Sequence, residues 1–327
     1  MECLKEEFLA QRIALVETIY VGGGTPTSLP DSLFEELLAL LEPHLLNGGE
    51  FTVEANPENL SVAKLRLMRK YRVNRLSIGV ESSQEKLLKL MGRRHTFAEA
   101  ERAVDLAKKE GFDNINCDLI YALPGETNED LDQDIEALLS LDVPHLSTYC
   151  LSVSKGTSFF NRGFHEAEDD VAAGQYEHIL ARLREKGYDR YEVSNFARPG
   201  YESRHNQTYW RDEEYYAVGM GASGYVDGVR FDNTRNLGSY LTGHPRAKDE
   251  VVTSESDLTY FFLTNLRLEK GFELARFEKH FGFSFLSRYK EKADKLVAEG
   301  LLTISPANVS CTDRGLLLLD RVLLALI

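Results

Sequence analysis

The chain has 327 residues, 43% of them hydrophobic, and a formal net charge of -14 from 38 Lys and Arg against 52 Asp and Glu. That length can bury one large core plus a smaller appended domain, while the charge repels a phosphate backbone and argues against nucleic acid as a partner. No segment is apolar enough to span a bilayer, and Glu2, Lys5, Glu6 and Glu7 interrupt any signal-like run at the start, so a cytoplasmic location is expected.

Short β-rich runs at 18–21, 51–54, 75–80, 115–121, 145–151 and 190–193 alternate with amphipathic stretches at 31–45, 61–70, 98–109, 128–141 and 170–186. Strict alternation of strands and helices predicts an α/β chain built as a partial or full βα barrel, with ligand chemistry at the carboxyl ends of the strands. The pattern then breaks at 197–240 into a Gly-, Asn- and aromatic-rich stretch. It is too long for an ordinary connection, and is read as a functional segment packed over the barrel mouth. Its aromatic residues suit either a core or the stacking of a flat apolar ligand. Helical patterns return at 256–268, 272–281 and 286–299, followed by strand-like runs at 301–304 and 309–311 and a last helix. This is a winged-helix pattern, and its nearly balanced charge favours a structural role over DNA binding. The expected domains are residues 1–196, 197–245 and 246–327.

Several residues at strand exits carry chemistry. The first strand runs into Gly22, Gly23, Gly24, Thr25 and Pro26, where bare backbone can approach a ligand, although such a turn also serves structure alone. Glu54 ends the second strand, Glu81 the third, Arg93 follows one helix later, and Asp118 lies on the fourth. Each alone reads equally well as a cap or a solvated ion pair. Together, carboxylates for an ammonium and ribose hydroxyls, an arginine for a carboxylate and a glycine edge match the groups of S-adenosylmethionine.

The motifs GGGTP (22–26), VEANP (53–57), RLSIGVES (75–82), DLIYALPGET (118–127), SNFARPGYESRHNQTYW (194–210), GMGASGY (219–225) and TDRG (312–315) occur in the order of one family. The chain resembles the radical-SAM proteins of the oxygen-independent coproporphyrinogen III oxidase type, and among them the HemW-type haem chaperones. The resemblance implies a radical-SAM-type barrel with a C-terminal winged-helix-like domain. It also implies an S-adenosylmethionine site at Gly23, Gly24, Thr25, Glu54, Glu81, Arg93 and Asp118, with Ser152 on the next strand exit. Where the family has Gln-Ser-Phe, this chain has Glu81, Ser82 and Ser83; a carboxylate accepts from ribose hydroxyls but cannot donate.

The family's Cys-x3-Cys-x2-Cys loop, whose thiolates hold three irons of a [4Fe-4S] cluster, precedes the glycine loop and has no counterpart here. Cys3, Cys117, Cys150 and Cys311 are scattered, fit neither a disulfide framework nor a zinc site, and are expected as reduced thiols. The expectation is a chain truncated inside the first βα unit, with a degenerate homologue that keeps only binding as the rival; either way it lacks the first barrel strand and radical chemistry. The sheet edge so uncovered favours association between copies.

The stretch His205-Asn206-Gln207-Thr208-Tyr209-Trp210 matches the family's HNxxYW motif. It implies haem held by His205 as iron ligand with Tyr209 and Trp210 packed on the macrocycle, although a loop His and two core aromatics would read the same way without the family. Two functions follow. One is acceptance of haem and its delivery to an acceptor haemoprotein, with membrane contact only through that acceptor. The other is oxidative decarboxylation of coproporphyrinogen III, which this chain as written would not perform.

Overall fold

The computed structural model describes residues 1–327. By their contacts these fall into two compact units: Ala14–Arg190 with Ser194–Glu202, and Met1–Ile13 with Tyr191–Val193 and Ser203–Ile327. Helix α1 (Glu2–Ala10) belongs to the latter and is taken up with it.

In the first unit the runs rich in β-branched residues become β1 (Val16–Val21), β2 (Leu45–Ala55), β3 (Arg75–Glu81), β4 (Asn114–Tyr121) and β5 (His145–Cys150), paired in parallel in chain order. The crossovers hold α2 (Asp31–Leu41), α3 (Val62–Lys70), the pair α4 (Glu85–Met91) and α5 (Phe97–Lys109), and α6 (Asn128–Ser140); α7 (Ser158–Asn161) and α8 (Asp169–Glu185) follow β5. Side-chain boxes at Thr96 and Thr127 cap α5 and α6, satisfying amide donors that have no partner within the helix.

Two short strands, β6 (Asp189–Glu192) and β7 (Asn195–Ala197), complete a seven-stranded sheet of order β1-β2-β3-β4-β5-β7-β6. Strict parallel alternation fails at this end, for β7 runs antiparallel to β5. Only Val193 and Ser194 separate β6 from β7, and a connection that short cannot make a parallel crossover.

Because side chains alternate across a strand, register divides the sheet into two faces. Val53, Leu76 and Ile115 lie side by side, as do Ile78, Cys117 and Leu146, all buried. Each such aliphatic side chain contributes roughly 1.5–3 kcal/mol by leaving water. On the opposite face Arg75 lies between Thr52 and Asn114; the next row holds Glu54, Ser77, Asn116 and His145, and the next Asp118, Ser147 and Asn195. The sheet therefore carries one apolar face and one hydrogen-bonded polar face, with Asn116 as hub. It donates to Ser77 Oγ (2.8 Å) and accepts from Ser147 Oγ (3.0 Å), and its Oδ1 lies 2.6 Å from His145 Nδ1.

The second unit begins with α1 and resumes at α9 (Arg204–Trp210). Residues 197–240 hold more regular structure than their composition suggests. After α9 come β8 (Ser223–Val226) and β9 (Val229–Asn233), joined by a turn in which Asp227 and Gly228 both have positive φ, then α10 (Leu237–Leu241) and β10 (Arg246–Val251). These strands form an antiparallel sheet of order β10-β9-β8.

The remainder is α11 (Ser254–Asn265), β11 (Phe272–Glu273), α12 (Leu274–Phe281), α13 (Phe285–Ala298), β12 (Leu302–Ile304), β13 (Asn308–Cys311), α14 (Asp313–Leu317) and α15 (Leu319–Leu326). The wing is a three-stranded sheet, β11-β13-β12, rather than a hairpin, since the two-residue β11 was too short to read from pattern. Phe261, Phe262, Phe272, Phe277, Phe285 and Tyr289 interlock in its core with ring centroids 5.3–6.4 Å apart. The largest aromatic cluster is thus structural and lies here, not at 188–240. No helix is long and apolar enough to cross a membrane.

Candidate functional site

At the exit of β1 the glycine loop wraps around a carboxylate. Glu54 accepts from the Tyr20 hydroxyl (2.9 Å) and from the Gly23 amide (3.1 Å). A Cβ at Gly22 would lie 2.5 Å from the Glu54 carboxyl carbon, so glycine is what lets this carboxylate close on the loop. Gly23, at φ +86, and Gly24 face open space where side chains would stand, leaving their backbone accessible. Thr25 Oγ1 accepts from Asn56 Nδ2 at 3.2 Å, tying the loop to the end of β2.

Glu81, the last residue of β3, is buried with φ +69. That left-handed conformation costs a non-glycine residue about 1–2 kcal/mol and persists only where neighbours enforce it. Enforcement comes from both sides. Arg93, just beyond α4, pairs with the Glu81 carboxylate, and the buried Asp134 of α6 accepts from Ser82 Oγ (2.7 Å), from the Ser83 amide (2.6 Å) and from Ser83 Oγ. Gly79 makes room for the returning side chain, for a Cβ there would stand 2.8 Å from Glu81 Oε1. Burial raises the Glu81 carboxyl above its ordinary range despite the guanidinium of Arg93.

Asp118 projects from the polar face of β4 and accepts from Asn116 Nδ2 at 2.7 Å. Burial, and next the Glu81 carboxylate, push its carboxyl up to about 7 against the pull of that hydrogen bond. Thr25 and Arg93 line a polar cleft of about 270 Å³ together with Asn56, Glu58, Asn59, Gly92 and Arg94. The structure therefore gathers Gly23, Gly24, Thr25, Glu54, Glu81, Arg93 and Asp118 at the carboxyl ends of β1 to β4. Ser152 stands apart, exposed beyond β5, with its hydroxyl on Glu166 (3.1 Å).

His205 does not lie in a loop. Ser203 accepts from the Asn206 amide and starts α9, which runs through Trp210. Residues four apart share a helix face, and His205 Nε2 lies 2.6 Å from the Tyr209 hydroxyl with the rings edge to face at 4.9 Å. Tyr209 also meets Tyr215 at 4.5 Å and is 36% exposed, so an aromatic surface is open. Trp210 is turned to another partner, with Arg267 5.5 Å from its ring.

Sequence reasoning passed over Tyr20, Asn56, Arg94 and Asp134. Tyr20 could have been found by its two-residue step from Gly22, which places it beside Glu54. Asp134 had no signal, because a mid-helix carboxylate is ordinarily solvated.

The four thiols remain scattered: Cys117 and Cys311 are buried, Cys150 is exposed and Cys3 lies partly covered on α1. No group of three His, Cys, Asp or Glu side chains is placed to hold a metal ion.

Comparison with known proteins identifies the family and the fold. The profile of the Radical SAM superfamily matches residues 2–138, and that of the HemN C-terminal domain matches residues 252–318. Proteins named heme chaperone HemW are 40% identical in Lactococcus lactis (96% of this chain, 86% of that protein), 35% in Bacillus subtilis (94% and 84%) and 33% in Escherichia coli (94% and 83%). The fold matches coproporphyrinogen III oxidase (HemN) from Escherichia coli, described as a Radical SAM enzyme, with a TM-score of 0.85 over 99% of this chain and 82% of that one, at 21% identity. With an α/β radical-SAM-type partial barrel, a HemN-type C-terminal domain and relatives of this closeness, the chain belongs to the HemW heme chaperone family of the Radical SAM superfamily.

Proposed function

We propose that this chain binds haem at the α9 surface and hands it to an acceptor haemoprotein, acting as a carrier rather than as a coproporphyrinogen oxidase. The observation that carries the reading is the pairing of His205 with Tyr209 on an open aromatic face of α9. An imidazole can ligate haem iron, and exposed rings can lie against the macrocycle. The relatives' name points the same way. Trp210, next in the chain to Tyr209 and with Arg267 5.5 Å from its ring, adds an aromatic contact to the macrocycle, and transfer takes place where the acceptor works, with membrane contact only through it.

Superfamily membership implies S-adenosylmethionine and a [4Fe-4S] cluster. The cofactor fits the residues present: open backbone at Gly23 and Gly24 for its methionyl end, Glu54 and Asp118 as acceptors for ammonium and ribose hydroxyls, and Thr25 and Arg93 on a polar cleft. Glu81 acts through Arg93, which it orients. The exposed Ser152 is a weaker contact at the next strand exit. When bound, this cofactor brings a sulfonium into a carboxylate-lined site. The cluster does not fit, because the thiols of this chain lie apart.

The test is transfer. Chain loaded with ferric haem is mixed with an apo-haemoprotein, and the acceptor's own spectrum is followed. Appearance of holo-acceptor faster than from free haem supports the carrier reading; haem that neither binds nor moves overturns it.

A further inference from the structure

Helix α1 has nine residues, too few to be stable alone, so its existence rests on what it docks against. Phe8 is its buried anchor. The polar contacts converge on one carboxylate. Glu7 accepts from the Gly219 amide (2.9 Å), from Asn233 Nδ2 at the end of β9 (2.6 Å) and from the Tyr240 hydroxyl of α10 (2.7 Å). Asn233 Nδ2 also donates to the Gly219 carbonyl (2.8 Å), and Gln11, just past the end of α1, donates to the Ala217 carbonyl (2.7 Å). Three pieces of chain more than 200 residues away in sequence are thus pinned to one side chain.

The pinned loop leads directly to the α9 surface. Just before it, Tyr215 exchanges backbone hydrogen bonds with Tyr225 of β8 (2.7 and 2.9 Å). Tyr215 backs the ring of Tyr209, and Tyr209 meets His205. Of the three hydrogen bonds on Glu7, the one from the Gly219 amide holds this loop directly, while those from Asn233 and Tyr240 tie α1 to β9 and α10 on either side of it.

We propose that Glu7 is a positioning residue for the His205 and Tyr209 face: by holding the 217–221 loop it fixes Tyr215, and through Tyr215 the ring that meets the haem-binding imidazole. The inference rests on the haem reading above and assigns α1 a part in it.

The test titrates ferric haem into the wild-type chain, Glu7→Ala, Glu7→Gln and His205→Ala, following the Soret band. Leu316→Ala, in the aromatic core of the same unit, serves as a control for general destabilisation. Glu7→Ala is expected to weaken binding about 5- to 10-fold and displace the Soret maximum, Glu7→Gln to restore part of both because one acceptor remains, and Leu316→Ala to lower the melting temperature without moving the band. Should Glu7→Ala not fold, Tyr240→Phe, which removes one donor, carries the same comparison. A normal spectrum and affinity in folded Glu7→Ala, with His205→Ala defective, overturns the role of Glu7 and leaves the haem site standing. A normal His205→Ala overturns both. Equal spectral change in Leu316→Ala and Glu7→Ala reduces Glu7 to general stability and overturns the positioning role.

Discussion

His205 Nε2 and the Tyr209 hydroxyl lie 2.6 Å apart, one turn apart on α9, with Tyr209 exposed and His205 half-buried. The nitrogen best placed to reach a haem iron is therefore already engaged, and ligation has to break that contact. A single such hydrogen bond is worth about 0.5–1.5 kcal/mol net. Tyr209→Phe keeps the ring and removes the competitor, so ferric haem should bind about 2- to 10-fold more tightly in a Soret titration. Loss of affinity would instead make the phenol itself a haem contact.

The Asp118 carboxyl, pushed up to about 7, sets a pH dependence of stability. Its folded-state value lies above the ordinary carboxylate value, so the protonated form suits the fold. The penalty for ionising it is absent at about pH 4, grows as pH rises and is complete above about pH 7. Asp118→Asn removes that penalty. Its unfolding free energy from denaturant titration should exceed that of wild type at pH 8 by on the order of 2 kcal/mol, and the gap should shrink toward pH 5. A gap independent of pH would contradict the assignment.

Asp134 is fully buried and receives three hydrogen bonds from Ser82 and Ser83. Asp134→Ala leaves those donors without an acceptor, at a cost of on the order of 3 kcal/mol, and frees the turn that holds Glu81 left-handed. Chemical denaturation should show that loss, and calorimetry should show weaker binding of S-adenosylmethionine, although residue 134 touches neither the glycine loop nor the cleft. Undiminished stability would show that the turn holds itself.

Gly22 and Gly24, two positions apart, should behave differently. Gly22→Ala puts a methyl 2.5 Å from the Glu54 carboxyl carbon and must dislodge Glu54 from Tyr20 and Gly23, whereas Gly24→Ala points into open space. Both sites are exposed. Gly22→Ala is expected to lose stability measurably, while Gly24→Ala melts like wild type. Both should weaken S-adenosylmethionine at least about 10-fold, one by moving a contact and the other by filling the ligand's space. Normal cofactor binding by Gly24→Ala would place the methionyl end elsewhere.

The strand-end residues were legible because period-two alternation and parallel register place Glu54, Ser77 and Asn116 in one row whatever the loops do. The left-handed state of Glu81 was not, for it is imposed by Arg93 in the α4–α5 connection and by Asp134 of α6, through contacts no local pattern announces. Helix α9 escaped notice because HNQTYW has no apolar stripe, although Ser203 is a usable cap signal. The hairpin of β8 and β9 was announced by Asp227-Gly228, the strongest short-range turn signal, yet its flanking strands are four and five residues long and lie among glycines. Glu7 gave no sign, since its partners lie more than 200 residues away and only the folded chain brings them together.

The most direct measurement of the haem reading compares ferric-haem titrations of wild type, His205→Ala and His165→Ala, a histidine in the α7–α8 connection. Wild type and His165→Ala should develop the same sharp Soret band of an imidazole-ligated iron, and His205→Ala should keep only the broad absorbance of unligated haem. A His205→Ala band indistinguishable from wild type would contradict ligation from α9.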